Sequence, residues 1–180
     1  MNDHFAEFGI PRVAWIDAEE VKLKHHALMA ASHPDKAQGD SDRATRLNVA
    51  RRILENPATR LRHLLELEFP AFHSQEKPQP DWDFFSRTSD AVRLAEQISS
   101  AGRSATSPLA RAVARSRAVD ARTKLNSLQA ELAQRREALE KETITLPLPL
   151  NNPQAASHLV EEWIFLNRWQ GLLHEAMSSL

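Results

Sequence analysis

The stretch Ser32-His33-Pro34-Asp35-Lys36-Ala37-Gln38-Gly39-Asp40 decides how the chain is read, because it is a polar turn set between two helical patterns. Upstream, Val21, His25 and Leu28 recur at helical spacing, and Asp17 with Glu20 three residues on makes a capping-box pattern. That helix starts at Asp17 and stops near Ser32, because Pro34 pushes His33 out of the α region. Downstream, Ser41 or Asp42 opens a second helix with Leu47, Ala50, Ile53 and Leu54 on its apolar face. Asn56-Pro57 breaks it. A shorter helix then starts with Pro57 near its first position and carries Leu61, Leu64, Leu65 and Leu67. A short apolar turn, Phe5-Ala6-Glu7-Phe8, ended by Gly9 and Pro11, precedes them all.

Further along, residues 70–81 hold Pro70, Pro78 and Pro80 among polar residues, which marks a domain boundary. Three more helices are expected, at about 82–101, 108–142 and 154–180. The first ends before Gly102-Arg103-Ser104, the second enters through Ser107 and Pro108, and the third follows the breaker at 146–153. In the last, Leu159, Trp163, Leu166, Gln170, Leu173, Met177 and Leu180 follow a four–three spacing, the pattern of a seam against another helix. Leu125, Leu128, Leu132 and Leu139 can answer it. Residues 103–141 carry nine Lys/Arg against four Asp/Glu, and 142–180 carry one against four, so the two segments complement in charge. The expected architecture is all-α: an N-terminal helical hairpin over 1–69, a proline-rich joint over 70–81 and a three-helix bundle over 82–180.

Composition agrees. Apolar residues make up 42% and charged residues 26%, and the few glycines (4) stand against long Ala/Leu/Arg/Glu/Gln stretches that favour helix. A net charge of −1 gives no global field towards nucleic acid or membrane. There are no cysteines, which excludes disulfides, thiol catalysis and thiolate-held metal on this chain. The polar start Met1-Asn2-Asp3-His4 carries no signal pattern, and no apolar run reaches spanning length, so the expectation is a cytoplasmic protein.

The chemistry sits in His33-Pro34-Asp35. Pro34 stiffens the turn and Asp35 becomes a fixed carboxylate, able to pair with an arginine on a partner. Lys22, Lys24 and His26 lie on the helix before it and Lys36 just after. With a short opening helix ahead, helices on both sides, and Leu47-Asn48 and Asn56-Pro57-x-x-Arg60 downstream, the segment resembles a J-domain. The stretches Phe5-x-x-Phe8-Gly9-Ile10-Pro11 and 56–67 are similar to the HscB-type J-proteins, in which a separate helical bundle follows.

That resemblance implies a co-chaperone and not an enzyme. His33, Pro34, Asp35, Lys22, Lys24, His26 and Lys36 would dock on a DnaK-type, HscA-like ATPase and bias it towards hydrolysis, while the bundle delivers an iron–sulfur cluster scaffold protein. No cofactor is implied. Some positions depart from the family: His25, Ser32, Arg51 and His63 stand where Tyr, Phe or Trp is common, and Ala27 and Ala31 thin the basic face. The family's Met/Glu/Leu-rich client pattern is replaced by Trp82-Asp83-Phe84-Phe85-Ser86-Arg87. Phe84 and Phe85 point about 100° apart, so one of them, with Trp82, should be left near the surface; Trp82, Phe84, Phe85 and Val92 are the candidate client residues. The alternative functional class is a J-domain adaptor whose bundle recruits a different client or dimerises.

Three other features carry blander readings. His25, His26 and His33 have no one-turn ligand spacing and read as surface or boundary residues, so no metal site is expected. The cations Arg103, Arg111, Arg115, Arg117, Arg122 and Lys124 face only Asp120. They could bind nucleic acid or an acidic client, but without stacking aromatics they read as a solvated face paired with the acidic last helix. Trp163 belongs to the seam; Trp169 lies off it, either exposed or packed on the first bundle helix.

Overall fold

The structure is a computed structural model and describes residues 2–31, 41–74 and 81–180. Seven helices and no strand occur among these residues: α1 (His4–Phe8), α2 (Ala18–Ala31), α3 (Ser41–Glu55), α4 (Pro57–Glu68), α5 (Trp82–Ser104), α6 (Pro108–Ile144) and α7 (Pro153–Ser179). Their starts are where side chains can satisfy the free N–H groups of a first turn. Asp17 accepts from the Glu19 N–H at 2.7 Å, Asn56 from Ala58 at 2.9 Å, Ser107 from Ala110 at 3.1 Å and Asn152 from Ala155 at 3.1 Å. The expected end of α5 before Gly102 is corrected: the helix continues to Ser104. A Cβ on Gly102 would lie 3.8 Å from the Ala114 Cβ, an ordinary contact distance, so the glycine is tolerated in the last turn of α5 and not required there. No helix among the described residues is long and apolar enough to cross a membrane.

Contacts divide the chain into two compact units, Met1–Lys77 with Leu139–Trp163, and Pro78–Ala138 with Ile164–Leu180. The first unit therefore takes in the end of α6 and the start of α7, which the proline-rich boundary at 70–81 does not reveal. Its core is Phe5, Phe8, Val21, Leu47, Leu54, Leu61 and Leu64, all essentially inaccessible. The helices α2 and α3 run antiparallel: His25 meets Asn48 while Lys22, nearer the start of α2, lies by Glu55 at the end of α3. The Glu68 carboxylate accepts from the Leu150 N–H at 2.6 Å. Trp15 stacks on Trp163 (5.8 Å between centroids), and the Trp163 indole N–H donates to Thr143 Oγ1 at 3.0 Å.

In the second unit, Asp81 and Arg87 of the α5 start bind Arg135 and Glu131 respectively, so α5 and α6 are antiparallel. Phe84, Thr88, Ala91, Ala95 and Ile98 form the buried stripe of α5, facing Ala121, Leu125, Leu128 and Leu132 of α6 and Leu166, Trp169, Leu173 and Ala176 of α7. Trp169, left open by its spacing, is buried at 4% exposure. Gln170 holds a seam position yet is exposed, and its amide oxygen accepts from Arg136 at 3.2 Å. Leu173→Ala should therefore destabilise this unit by ~2–5 kcal/mol, the range for emptying a fully buried leucine site. Gln170→Ala should stay within ~0.5 kcal/mol, as surface sites do. Urea denaturation of the two variants checks the contrast; equal losses would mean the seam is not packed as described.

The charge complementarity read between α6 and α7 is not realised as ion pairs by the arginine run. Arg115, Arg117, Arg122 and Lys124 reach no carboxylate among the described residues. Among the described residues of this unit, Arg87–Glu131 at 2.8 Å and Arg135–Asp81 at 2.7 Å join α5 to α6, while Arg87–Asp83, Arg93–Asp90 and Arg135–Glu131 pair within one helix.

Candidate functional site

His33, Pro34, Asp35 and Lys36 lie outside the described residues, as does Ser32. What the structure gives is the frame on either side of them, with α2 ending at Ala31 and α3 beginning at Ser41. On α2, Val21, His25 and Leu28 turn inward, which places Lys22 and His26 on one flank and Lys24 on the other. Lys22 Nζ donates to the Glu19 carboxylate at 2.6 Å, and Lys24 Nζ to the Gly9 carbonyl at 3.3 Å. His26 is exposed, edge-on to His25. These three residues thus do not share one face. The outermost stripe of α2 is instead Leu23, 70% exposed, with Ala27 and Ala30.

A feature the sequence showed without explaining is Arg60. Its guanidinium is fully buried and donates to the carbonyls of Ala14 (3.0 Å), Ile16 (3.2 Å) and Leu54 (2.6 Å). Leu54 is in the last turn of α3, where carbonyls lack helical donors and a cation is favoured. Thr59 Oγ1 serves Ile53 in the same turn, at 2.7 Å. The Asn56-Pro57-x-Thr59-Arg60 run therefore starts α4, caps α3 and ties the segment before α2 to both. Burial pushes the Arg60 pKa down to about 10, so it stays charged at neutral pH.

The aromatic stretch at the start of α5 divides as its geometry requires. Phe84 is buried, with the Arg135 guanidinium 4.4 Å from its ring centre and Trp169 edge-on at 6.2 Å. That corrects its place among surface client residues: Phe84 is core. Phe85 is 38% exposed and Trp82 68% exposed, and the two meet edge-on at 5.6 Å. Val92, half-buried, lies two turns along on the Phe85 side.

No protein-family model matches the chain. A co-chaperone protein HscB homolog of Chromobacterium violaceum is 38% identical to it over 73 residues, covering 36% of this chain and 42% of the relative. The HscB homolog of Azoarcus sp. strain BH72 is 34% identical over 73 residues, covering 36% and 41%. Over that stretch the chain is similar to HscB co-chaperone homologs. A third HscB homolog, from Paraburkholderia phymatum, is 36% identical over 76 residues, covering 37% of this chain and 43% of its own length. The chain thus matches less than half the length of each of these curated relatives.

The structure accounts for two departures from the HscB-type pattern. His25 stacks on Phe8 at 6.3 Å and bonds Asn48 through Nε2, and His63 stacks on Phe5 at 5.8 Å while its Nε2 accepts from the His4 N–H at 3.1 Å. An imidazole keeps the flat ring that an aromatic residue would supply and adds a hydrogen bond. Arg51 is half-buried and pairs with Glu55 at 3.8 Å.

The substitution has a pH consequence. Burial lowers the pKa of both His25 and His63; Asn48 opposes this for His25, and Asp3 and Glu66 oppose it for His63. Their neighbours His26, Arg51, His4 and Arg12 push the same way as burial. A histidine whose folded pKa lies below the ordinary ~6.5 takes its proton first in the unfolded chain. The first unit should hold constant stability above about pH 7 and lose it as pH falls through about 6.5. Urea midpoints at pH 7.5 and 5.5, for the native chain and His63→Phe, test this. An unchanged pH dependence in the variant would exclude His63 as a source.

Proposed function

We propose that the protein is a cytoplasmic co-chaperone, not an enzyme, that stimulates the ATPase of a DnaK-type, HscA-like chaperone and delivers an iron–sulfur cluster scaffold protein to it. Residues 1–69 serve as the J-domain, and the helices after the joint present the client. The observation that carries the reading is the antiparallel α2–α3 pair bracketing His33-Pro34-Asp35 in a chain of HscB-like sequence. In chain order His33-Pro34-Asp35 falls between these two helices, and the Asp35 carboxylate is the group that would pair with a partner cation. The catalytic groups for hydrolysis belong to the chaperone.

The test is single-turnover ATP hydrolysis by an HscA-like chaperone with and without this protein, then with scaffold protein added. Stimulation by the protein, increased further by the scaffold, is the expected result. No stimulation of either an HscA-like or a general DnaK chaperone overturns the co-chaperone reading; stimulation without any effect of the scaffold overturns the client assignment alone.

For the client face, the exposed Trp82–Phe85 pair supports anchoring by aromatic side chains, which can carry ~2 kcal/mol or more each. Phe85→Ser should weaken client binding ~30-fold or more in calorimetry and lower the melting point less than Phe84→Ser does, since Phe85 is partly exposed but also meets Trp169. Phe84→Ser should instead lower stability by several kcal/mol, about 3–5 for a buried phenylalanine. Equal effects of the two substitutions on melting would remove the distinction between core and docking face.

A further inference from the structure

We infer that the groove between the end of α5 and the start of α6 is a docking site for an acidic amphipathic helix of a partner protein. It lies further along α5 than Trp82 and Phe85 and is independent of the co-chaperone reading. The groove has a volume of about 830 Å³, and the described residues that line it come from α5, the 105–107 connection and α6. Ile98 and Ala121 are buried in its floor, while Leu109 and Val113 stand on its wall 75% and 44% exposed. Leu109, Val113 and Arg117 follow one another at four-residue steps and so form a single stripe along α6. The lining mixes apolar with polar side chains, and an apolar stripe along one helical wall is a form in which an amphipathic helix seats its own apolar face.

Charge selects the occupant. Arg117 and Lys124 line the groove and reach no carboxylate among the described residues. Asp120 between them is the one acidic residue from 103 to 124, against Arg103, Arg111, Arg115, Arg117, Arg122 and Lys124. Arg103 donates to Ser99 Oγ, and Arg111 to the carbonyls of Ala105 and Thr106; neither arrangement cancels a charge. Along α6 successive cations from Arg111 to Lys124 are never far apart, roughly 7.5 Å of helix rise at most, which is within one Debye length of ~8–10 Å, so neighbouring fields add. Carboxylates flanking the partner's apolar stripe would meet them, which gives recognition as well as faster encounter. Nucleic acid fits less well, because no aromatic side chain among the described residues lines the groove for bases to stack on.

The experiment uses the full chain with no chaperone present. The probe is a fluorescent peptide of about 18 residues, long enough to hold a helix, built from Leu, Ala and Glu with leucines on one face. Its analogue with Lys for every Glu and a single-stranded DNA oligonucleotide serve as competitors. The acidic peptide should bind saturably and release as salt rises. Val113→Asp should weaken it ~10-fold or more, and Arg117→Glu with Lys124→Glu should weaken it while admitting the lysine peptide. All these side chains are exposed, so the melting curve should not move, and circular dichroism verifies that. Four results would overturn the inference: no saturable binding below about 1 mM, equal binding to every variant, the oligonucleotide outcompeting the peptide, or sedimentation showing that a second copy of the chain fills the groove.

Discussion

Replacing His33 by Gln, or Asp35 by Asn, is expected to reduce stimulation of the partner's ATPase to background while leaving the helical circular dichroism unchanged. Asn keeps the size of Asp35 and removes only its charge, so what it tests is the ion pair rather than the turn's shape. A charge-assisted hydrogen bond is worth ~1.5–3 kcal/mol net, or roughly 10- to 150-fold in an equilibrium it biases. His33→Gln keeps a hydrogen-bonding group and removes the ring. Neither residue belongs to the described core, where Val21, His25, Leu47, Ala50 and Leu54 hold α2 to α3. Helical content should therefore survive. Lys22→Ala should have a smaller effect than either, since Lys22 already pairs with Glu19 on its own helix. Single-turnover hydrolysis with each variant decides; stimulation that survives both turn substitutions removes the turn from the mechanism.

How far the sequence could be read follows from which signals are local. Caps at Asp17 and Ser107, the break at Asn56-Pro57 and the leucine spacing of α7 depend on neighbours within one turn, so element order and an all-helical class were legible. The seam failed at Gln170 because a period says which side a residue faces, not whether a neighbouring helix reaches it. Trp169 shows the converse: off the seam, it is buried by meeting Phe84 and Phe85 of α5. Gly102 read as a stop, yet a glycine inside a helix costs only ~1 kcal/mol, and α5 continues through it to Ser104. The grouping of 139–163 with 1–77 rests on pairings such as Trp15 with Trp163 and Glu68 with Leu150, far apart in sequence and without periodicity. On the aromatic face, the 100° step told that Phe84 and Phe85 would separate; the Arg135 side chain over Phe84 settles which one is covered.

Arg60→Met is expected to destabilise the first unit by ~3–5 kcal/mol. Methionine can occupy much of the same volume, so the loss tests the hydrogen bonds more than the packing. Three carbonyls, those of Ala14, Ile16 and Leu54, would be left in a site with no solvent access to the side chain that now serves them. Each buried unpaired polar group costs ~1–3 kcal/mol, and these three share one donor, so their costs will not simply add. Against this stands the cost that Arg60 itself imposes: a charge out of water, its Nη2 buried without an acceptor, eased by the Trp15 ring 5.4 Å from Cζ. Removing that cost offsets part of the loss, which is why the expected figure stays below the sum of three. Arg60→Lys separates the two effects. An ammonium keeps the charge but lacks the planar fork that reaches three carbonyls from one position, so it should recover only a fraction. Exchange of the Trp163 indole N–H, bonded to Thr143 and stacked beside Trp15 in the same unit, gives a local reading to set beside urea denaturation. A loss below about 1 kcal/mol in Arg60→Met would mean that the carbonyls find water or other donors, and that Arg60 does not fasten the corner between α3, α4 and the segment before α2.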